Sequence, residues 1–230
     1  MTHPHLTFQR LRSAATITVF SFLAACTQLP TPSSRPAPVT APAAAPAASP
    51  AIGPQLQIDT TSSLIVVTVR RGGVLARLGH DHVVASHTVT GKVSPAQDRA
   101  DLQFRLDQMT VDEADLRRIA GLEKQPSADA IDGTRHNMLT KVLDAERYPV
   151  VSIHAERDAP GQPLRVSITL HGVTRTLAVP AELREENGVI TVKGGFTLKQ
   201  TDFGLTPFSV MGGAMAVEDQ MELRFDLIAK

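Results

Sequence analysis

Apolar side chains recur at every second position in one segment after another of this sequence. Leu102, Phe104 and Leu106 keep the rhythm, as do Val151, Ile153 and Ala155, then Leu164, Val166, Ile168 and Leu170. Leu177, Val179, Ala181 and Leu183 repeat it, and Met221, Leu223, Phe225 and Leu227 close the chain with it. A period of two puts these side chains on one face of a strand and leaves Ser, Thr, Arg and Glu on the other. The expected fold is therefore all-β and antiparallel. Its apolar face must be covered by a second sheet or by closure into a barrel.

Between Gln55 and Lys230 there are about eight strand-like stretches, near the size at which a closed barrel can hold one small ligand. Leu64 to Arg70 is a dense β-branched run that Gly72-Gly73 turns. His82 to Val93 alternates, with Val83, Ala85, Val89 and Val93 on the face taken as apolar, and Pro95 ends it. After Leu106 the period changes. Thr110 and Glu113 have capping-box spacing, and Ala114, Leu116, Ile119, Ala120 and Leu122 follow at helical intervals. A second helix is expected from about Asp132, its stripe Met138, Leu139, Val142 and Leu143 ending at Tyr148-Pro149. Val111 to Arg147 thus reads as a helical insertion lying across an open end of the barrel. Turns are expected at His171-Gly172, Asn187-Gly188 and Gly194-Gly195, and the glycine-rich segment Phe203 to Gly213 reads as either a plug or a lip at one end.

The first quarter of the chain has a different character. Arg10 and Arg12 precede an apolar run, Ser13 to Ala25, that is too short to span a bilayer and reads as an export signal over residues 1–25. It ends in Leu23-Ala24-Ala25-Cys26, which resembles the lipobox of bacterial lipoproteins, with Cys26 as the lipidated residue; simple cleavage is the alternative. Both place the domain in the periplasm or cell envelope. Eight of the sixteen prolines fall between Pro30 and Pro54, among alanines and serines, so residues 26–54 form an extended tether and residues 55–230 the folded domain. Cys26 is the only cysteine, which excludes an intramolecular disulfide. Lys plus Arg and Asp plus Glu number 23 each, so bulk charge draws no nucleic acid to the chain.

Few residues invite chemistry. His80-Asp81-His82 places two imidazoles on one side of an extended strand, and His171 or His136 could complete a metal site. The strand phase set by Val83 and Ala85 argues against this, because it turns His80 and His82 away from the apolar face and Asp81 towards it. There is no Gly-x-Ser-x-Gly elbow, and acidic residues are scattered rather than paired. The expectation is a protein that binds without catalysing and needs no cofactor. An interior without Trp, in a chain whose aromatics are 4% of residues, suits a long aliphatic ligand better than a flat aromatic one.

The segment Met138-Leu139-Thr140-Lys141-Val142-Leu143-Asp144-Ala145-Glu146-Arg147-Tyr148-Pro149-Val150, with Ile168-Thr169-Leu170-His171-Gly172-Val173-Thr174-Arg175 after it, resembles the YceI-like family of bacterial export-compartment proteins. Gly91 and Leu198-Lys199-Gln200-Thr201-Asp202-Phe203-Gly204 agree with it. The resemblance implies an eight-stranded, lipocalin-like antiparallel barrel, interrupted by the helical insertion, whose tunnel holds a polyisoprenoid chain. Val66, Phe104, Met138, Leu139, Val142, Ile153, Ile168, Leu170, Phe203, Phe208, Met211, Phe225 and Leu227 are the residues expected to meet that chain. Arg175, Lys199 or His171 near a rim could meet a polar or phosphate head group. The chain departs from the family pattern at Leu78-Gly79-His80-Asp81-His82 and at His171. The second reading is a metal-binding accessory protein that uses the histidine turn.

Overall fold

The structure is a computed structural model that describes residues 53–122 and 124–230. Its strands are β1 (Leu56–Gln57), β2 (Leu64–Gly72), β3 (His82–Ser86), β4 (Thr90–Ser94), β5 (Arg99–Arg105) and β6 (Thr110–Val111). Two helices follow, α1 (Ala114–Ile119) and α2 (Ala128–Asn137), and then β7 (Val150–Glu156), β8 (Leu164–Leu170), β9 (Val173–Val179) and β10 (Ala181–Glu186). The chain ends with β11 (Val189–Lys199), β12 (Ser209–Val210) and β13 (Met215–Ala229). The signal, the tether and Cys26 lie outside the described residues. No helix among the described residues is long and apolar enough to cross a membrane.

Every strand pairing is antiparallel, and the pairings run in a circuit. β2 pairs with β3, and β3 bends into β4; β4 then pairs with β5, β5 with β7, β7 with β8 and β8 with β9. β9 bends through Pro180 into β10, which pairs with β11; β11 pairs with β13, and β13 returns to β2. With β3–β4 and β9–β10 each counted as one bent strand, the circuit has eight strands, and β6 lies outside it, paired with β3 at the edge of the seven-stranded sheet.

The ladder itself does not close. It breaks at both bends, which divides the wall into a six-stranded sheet and a seven-stranded sheet. At one bend the cause is Pro180, which has no N–H to offer a ladder. At the other, chain from outside the circuit occupies the backbone groups: Thr60 Oγ1 donates to Val89 O at 3.0 Å and Ile58 N to Gly91 O at 3.0 Å. The same segment laces the six-stranded sheet to the end of β13, since Gln57 N donates to Lys230 O and Lys230 N to Gln57 O, each at 2.9 Å.

Local chemistry explains most element boundaries. His171-Gly172 and Asn187-Gly188 both take positive φ at both residues, the requirement of a two-residue hairpin turn, and join β8 to β9 and β10 to β11. Ser127 caps α2 by accepting from Ala130 N at 3.3 Å, and the helix starts earlier than the expected Asp132. Thr110 does not cap α1: it lies in β6, where its hydroxyl bonds the Glu113 carboxylate. Gly194-Gly195 is not a turn. Both residues sit inside β11, where a Cβ on Gly194 would stand 2.6 Å from the Phe225 ring and 2.5 Å from Pro180 O. Glycine there lets the bent strand and a core ring approach the backbone closely.

Two apolar clusters result. The large one fills the inside of the circuit and includes Ile65, Val84, Phe104, Val151, Ile168, Leu198, Phe203 and Leu227. The small one, Val66, Val83, Ala85 and Leu122 with Leu64, Leu116 and Ala120 against it, lies outside the wall beneath α1. Both faces of β3 are therefore buried.

Candidate ligand-binding cavity

A cavity of about 400 Å³ lies inside the circuit, within the usual range for small-molecule sites. Alternate residues of the strands line it: Ile65, Val67 and Val69 of β2, Leu102 and Phe104 of β5, Val151, Ile153 and Ala155 of β7, and Leu164, Val166, Ile168 and Leu170 of β8. Met221, Leu223, Phe225 and Leu227 of β13 complete the wall, while Met138 and Val142, on the π-helical turn after α2, close over it with Phe208. The lining is overwhelmingly hydrocarbon, which offers dispersion and dehydration to a ligand but few groups to fix its orientation.

Of the residues expected to meet a ligand, Phe104, Met138, Val142, Ile153, Ile168, Leu170, Phe208, Phe225 and Leu227 line this cavity. The remainder sit elsewhere. Val66 faces outward into the cluster beneath α1, because Ile65, Val67 and Val69 take the inward face of β2. The unbroken β-branched run there carries no alternation from which the phase could be read. Leu139 packs on the core without lining the cavity, and Phe203, 1% exposed, is buried in the core at the start of the glycine-rich segment. Met211 is 69% exposed at the far end of that segment. Arg175 and Lys199 are exposed strand residues off the cavity, and His171 stacks on Tyr148 with ring centroids 4.4 Å apart.

The histidine turn shows the opposite phase from the one read in the sequence. His82 shares its face of β3 with Val84 and lines the cavity, whereas Asp81 faces away, accepting from Arg71 N at 2.9 Å with Arg70 3.7 Å off. His82 Nδ1 donates to Asp112 Oδ2 at 2.6 Å. The other oxygen of Asp112 accepts from Val83 N at 3.0 Å and from Arg117 Nη1 at 2.5 Å, and the Asp112 and Arg117 side chains are 0% and 3% exposed. Burial alone would push the Asp112 carboxyl up, but the hydrogen bonds from His82, Val83 and Arg117 outweigh it and hold the group below its ordinary value. Arg117 also donates to Asp81 O at 2.7 Å and to Lys124 O, and Gln125 Nε2 donates to Asp112 O at 3.0 Å. The network thus bolts α1 and the chain after it to β3.

Several of the charged groups that line the cavity are held in ion pairs. Arg157 Nε donates to Asp98 at 2.7 Å, Arg99 to Asp101 at 3.0 Å, and Glu156 accepts from Arg165 at 2.7 Å. His80 does not line the cavity, and burial lowers its affinity for a proton. Among the described residues, no group of three or more His, Cys, Asp or Glu side chains is placed to hold a metal ion. His80 and His82 stand edge to face at 6.2 Å between ring centroids, with His171 elsewhere.

The model of the YceI-like domain matches residues 56–229, nearly the whole described region. The chain belongs to the YceI-like family. Two solved structures share the fold of this YceI-like domain. One is a polyisoprenoid binding domain from Saccharophagus degradans implicated in plant cell wall breakdown, 14% identical, covering 76% of this chain and 97% of its own, with a TM-score of 0.55. The other is BcnA of Burkholderia cenocepacia, 16% identical, covering 75% of this chain and 99% of its own, with a TM-score of 0.52. No curated protein matches the sequence. In this YceI-like domain the sequence left two features unread, the inward turn of His82 and the Asp112–Arg117 pair behind it. Only the Asp81-His82 and Val111-Asp112 neighbourhoods hint at them, as polar residues set at the ends of apolar strands.

Proposed function

We propose that this YceI-like domain takes up the hydrocarbon chain of one long-chain lipid, of the polyisoprenoid class, and carries it without altering it. The observation that supports this most is the cavity: an interior of hydrocarbon side chains that stops short of filling itself. The likeness of fold to a polyisoprenoid binding domain agrees with the choice of ligand class. The site of action is the periplasm or cell envelope, with Cys26 lipidated and residues 26–54 as the tether that lets the domain work at a membrane surface. A long-chain lipid is poorly soluble by itself, and an apolar cavity supplies the missing solvent.

Organic extraction of protein purified without a histidine tag, followed by mass spectrometry, is the direct test. Metal analysis of the same sample accompanies it. A stoichiometric isoprenoid or related lipid supports the proposal. Stoichiometric zinc or copper with no lipid would overturn it in favour of the metal-binding reading.

A further inference from the structure

We propose that His82 is the polar contact for the buried end of the ligand, and that this end carries a hydroxyl group. The inference rests on the lipid-carrier reading and adds direction to it. An apolar cavity fixes no orientation by itself, because a hydrocarbon chain can slide or reverse at little cost. His82 is the imidazole of the lining, two residues from Val84 on the inward face of β3.

Its ring is held in one tautomer. A carboxylate only accepts hydrogen bonds, so the 2.6 Å contact with Asp112 Oδ2 requires the hydrogen on Nδ1. In the neutral ring Nε2 is then an acceptor; the hydrogen bond that the ring makes among the described residues is the one through Nδ1, and the side chain stays 14% exposed. Asp112 is held in turn by Val83 N and by Arg117, so the ring has little freedom to turn. The other polar groups that line this region are occupied or loose. Thr134 Oγ1 donates to Ala130 O at 2.8 Å and Gln200 Nε2 to Glu218 O at 2.8 Å, while Asn137 sits on α2 with no fixed partner among the described residues.

An acceptor inside a hydrocarbon lining selects a ligand that brings a donor. An alcohol O–H meets Nε2, whereas a diphosphate brings negative charge that an imidazole acceptor repels and that Arg99 and Arg157, each already holding a carboxylate, do not balance. The chain therefore enters hydroxyl first and stops at the end that the helical insertion covers.

The test is a cycle between one residue and one ligand atom, with farnesol and its methyl ether as probes of the same chain length. Dissociation constants are measured by equilibrium dialysis on delipidated wild-type protein and on His82→Phe, a ring of similar size without the acceptor. Wild type is expected to favour farnesol over the ether by about tenfold more than the variant does, the scale of one hydrogen bond in a dry site. A purely structural role for His82 would weaken both probes alike. Equal ratios in the two proteins, with both probes bound, overturn the hydroxyl contact and leave the carrier standing. Failure of wild type to bind either probe overturns both. If His82→Phe does not fold, wild type alone decides: ether binding as tight as farnesol refutes the contact.

Discussion

Asp112 gathers three donors on one fully buried carboxylate, at a backbone position with φ of +57°. Removing that charge leaves Arg117 buried without its partner, a loss on the scale of about 3–5 kcal/mol. Asp112→Asn should show it as a lowered midpoint in chemical denaturation. The acid side follows from the direction of the shift. A carboxyl whose folded value lies below its unfolded value of about 4 gives its full stabilisation above pH 4 and loses it as pH falls through the folded value. Wild type should therefore lose stability below about pH 4 by a component that Asp112→Asn lacks, read from denaturation midpoints between pH 5 and 2. Val66 makes the complementary case. It belongs to the cluster beneath α1, so Val66→Ala should cost about 1–3 kcal/mol while the lipid recovered per mole of folded protein stays unchanged.

At the scale of elements, legibility followed exposure. β7 and β8 have the bounds that alternation marked, Val150–Glu156 and Leu164–Leu170, because only the inner face of each packs on apolar neighbours. The hairpins at His171-Gly172 and Asn187-Gly188 were equally plain, since few residue pairs accept two positive φ values. β2 and β3 were not. α1 covers their outer side, so apolar residues stand on both faces and the alternation that gives phase disappears; the pattern turns Val66 inward and His82 outward, and the structure has the reverse. Gly194-Gly195 misled for another reason: a glycine pair signals either a turn or a close approach, and only the neighbouring strand decides. The close approach predicts a contrast between two glycines. Gly194→Ala places a Cβ against the backbone oxygen of Pro180, which cannot swing away, and should lower the melting temperature by several degrees. Gly188→Ala meets nothing within 4 Å and should cost only the strain of its φ of +77°, about 1 kcal/mol. Thermal unfolding of both variants, side by side, checks it.

At the scale of the whole molecule, the sequence indicated a wall of about eight strands but could not say whether it was hollow, because side-chain volumes do not reveal how far apart the two sheets stand. The circuit answers this, with two strands bending from sheet to sheet and a cavity of about 400 Å³ between them. Hollow and filled interiors respond oppositely to added volume. In a close-packed core a larger side chain forces off-rotamer neighbours and costs about 1–3 kcal/mol. In a hollow it fills space and gains buried surface. Ile153, half-buried at the centre of β7 and facing the cavity, is the position at which to ask. Ile153→Phe is expected to leave the melting temperature of delipidated protein unchanged or slightly raised, while the lipid recovered from freshly purified protein falls severalfold, because the ring occupies volume the chain needs. The bound lipid should itself raise the melting temperature of wild type more than that of the variant, since a ligand stabilises the folded state according to its affinity and concentration. A clear drop in the variant's delipidated melting temperature, with lipid content unchanged, would mean that the sheets meet there and the chain binds elsewhere.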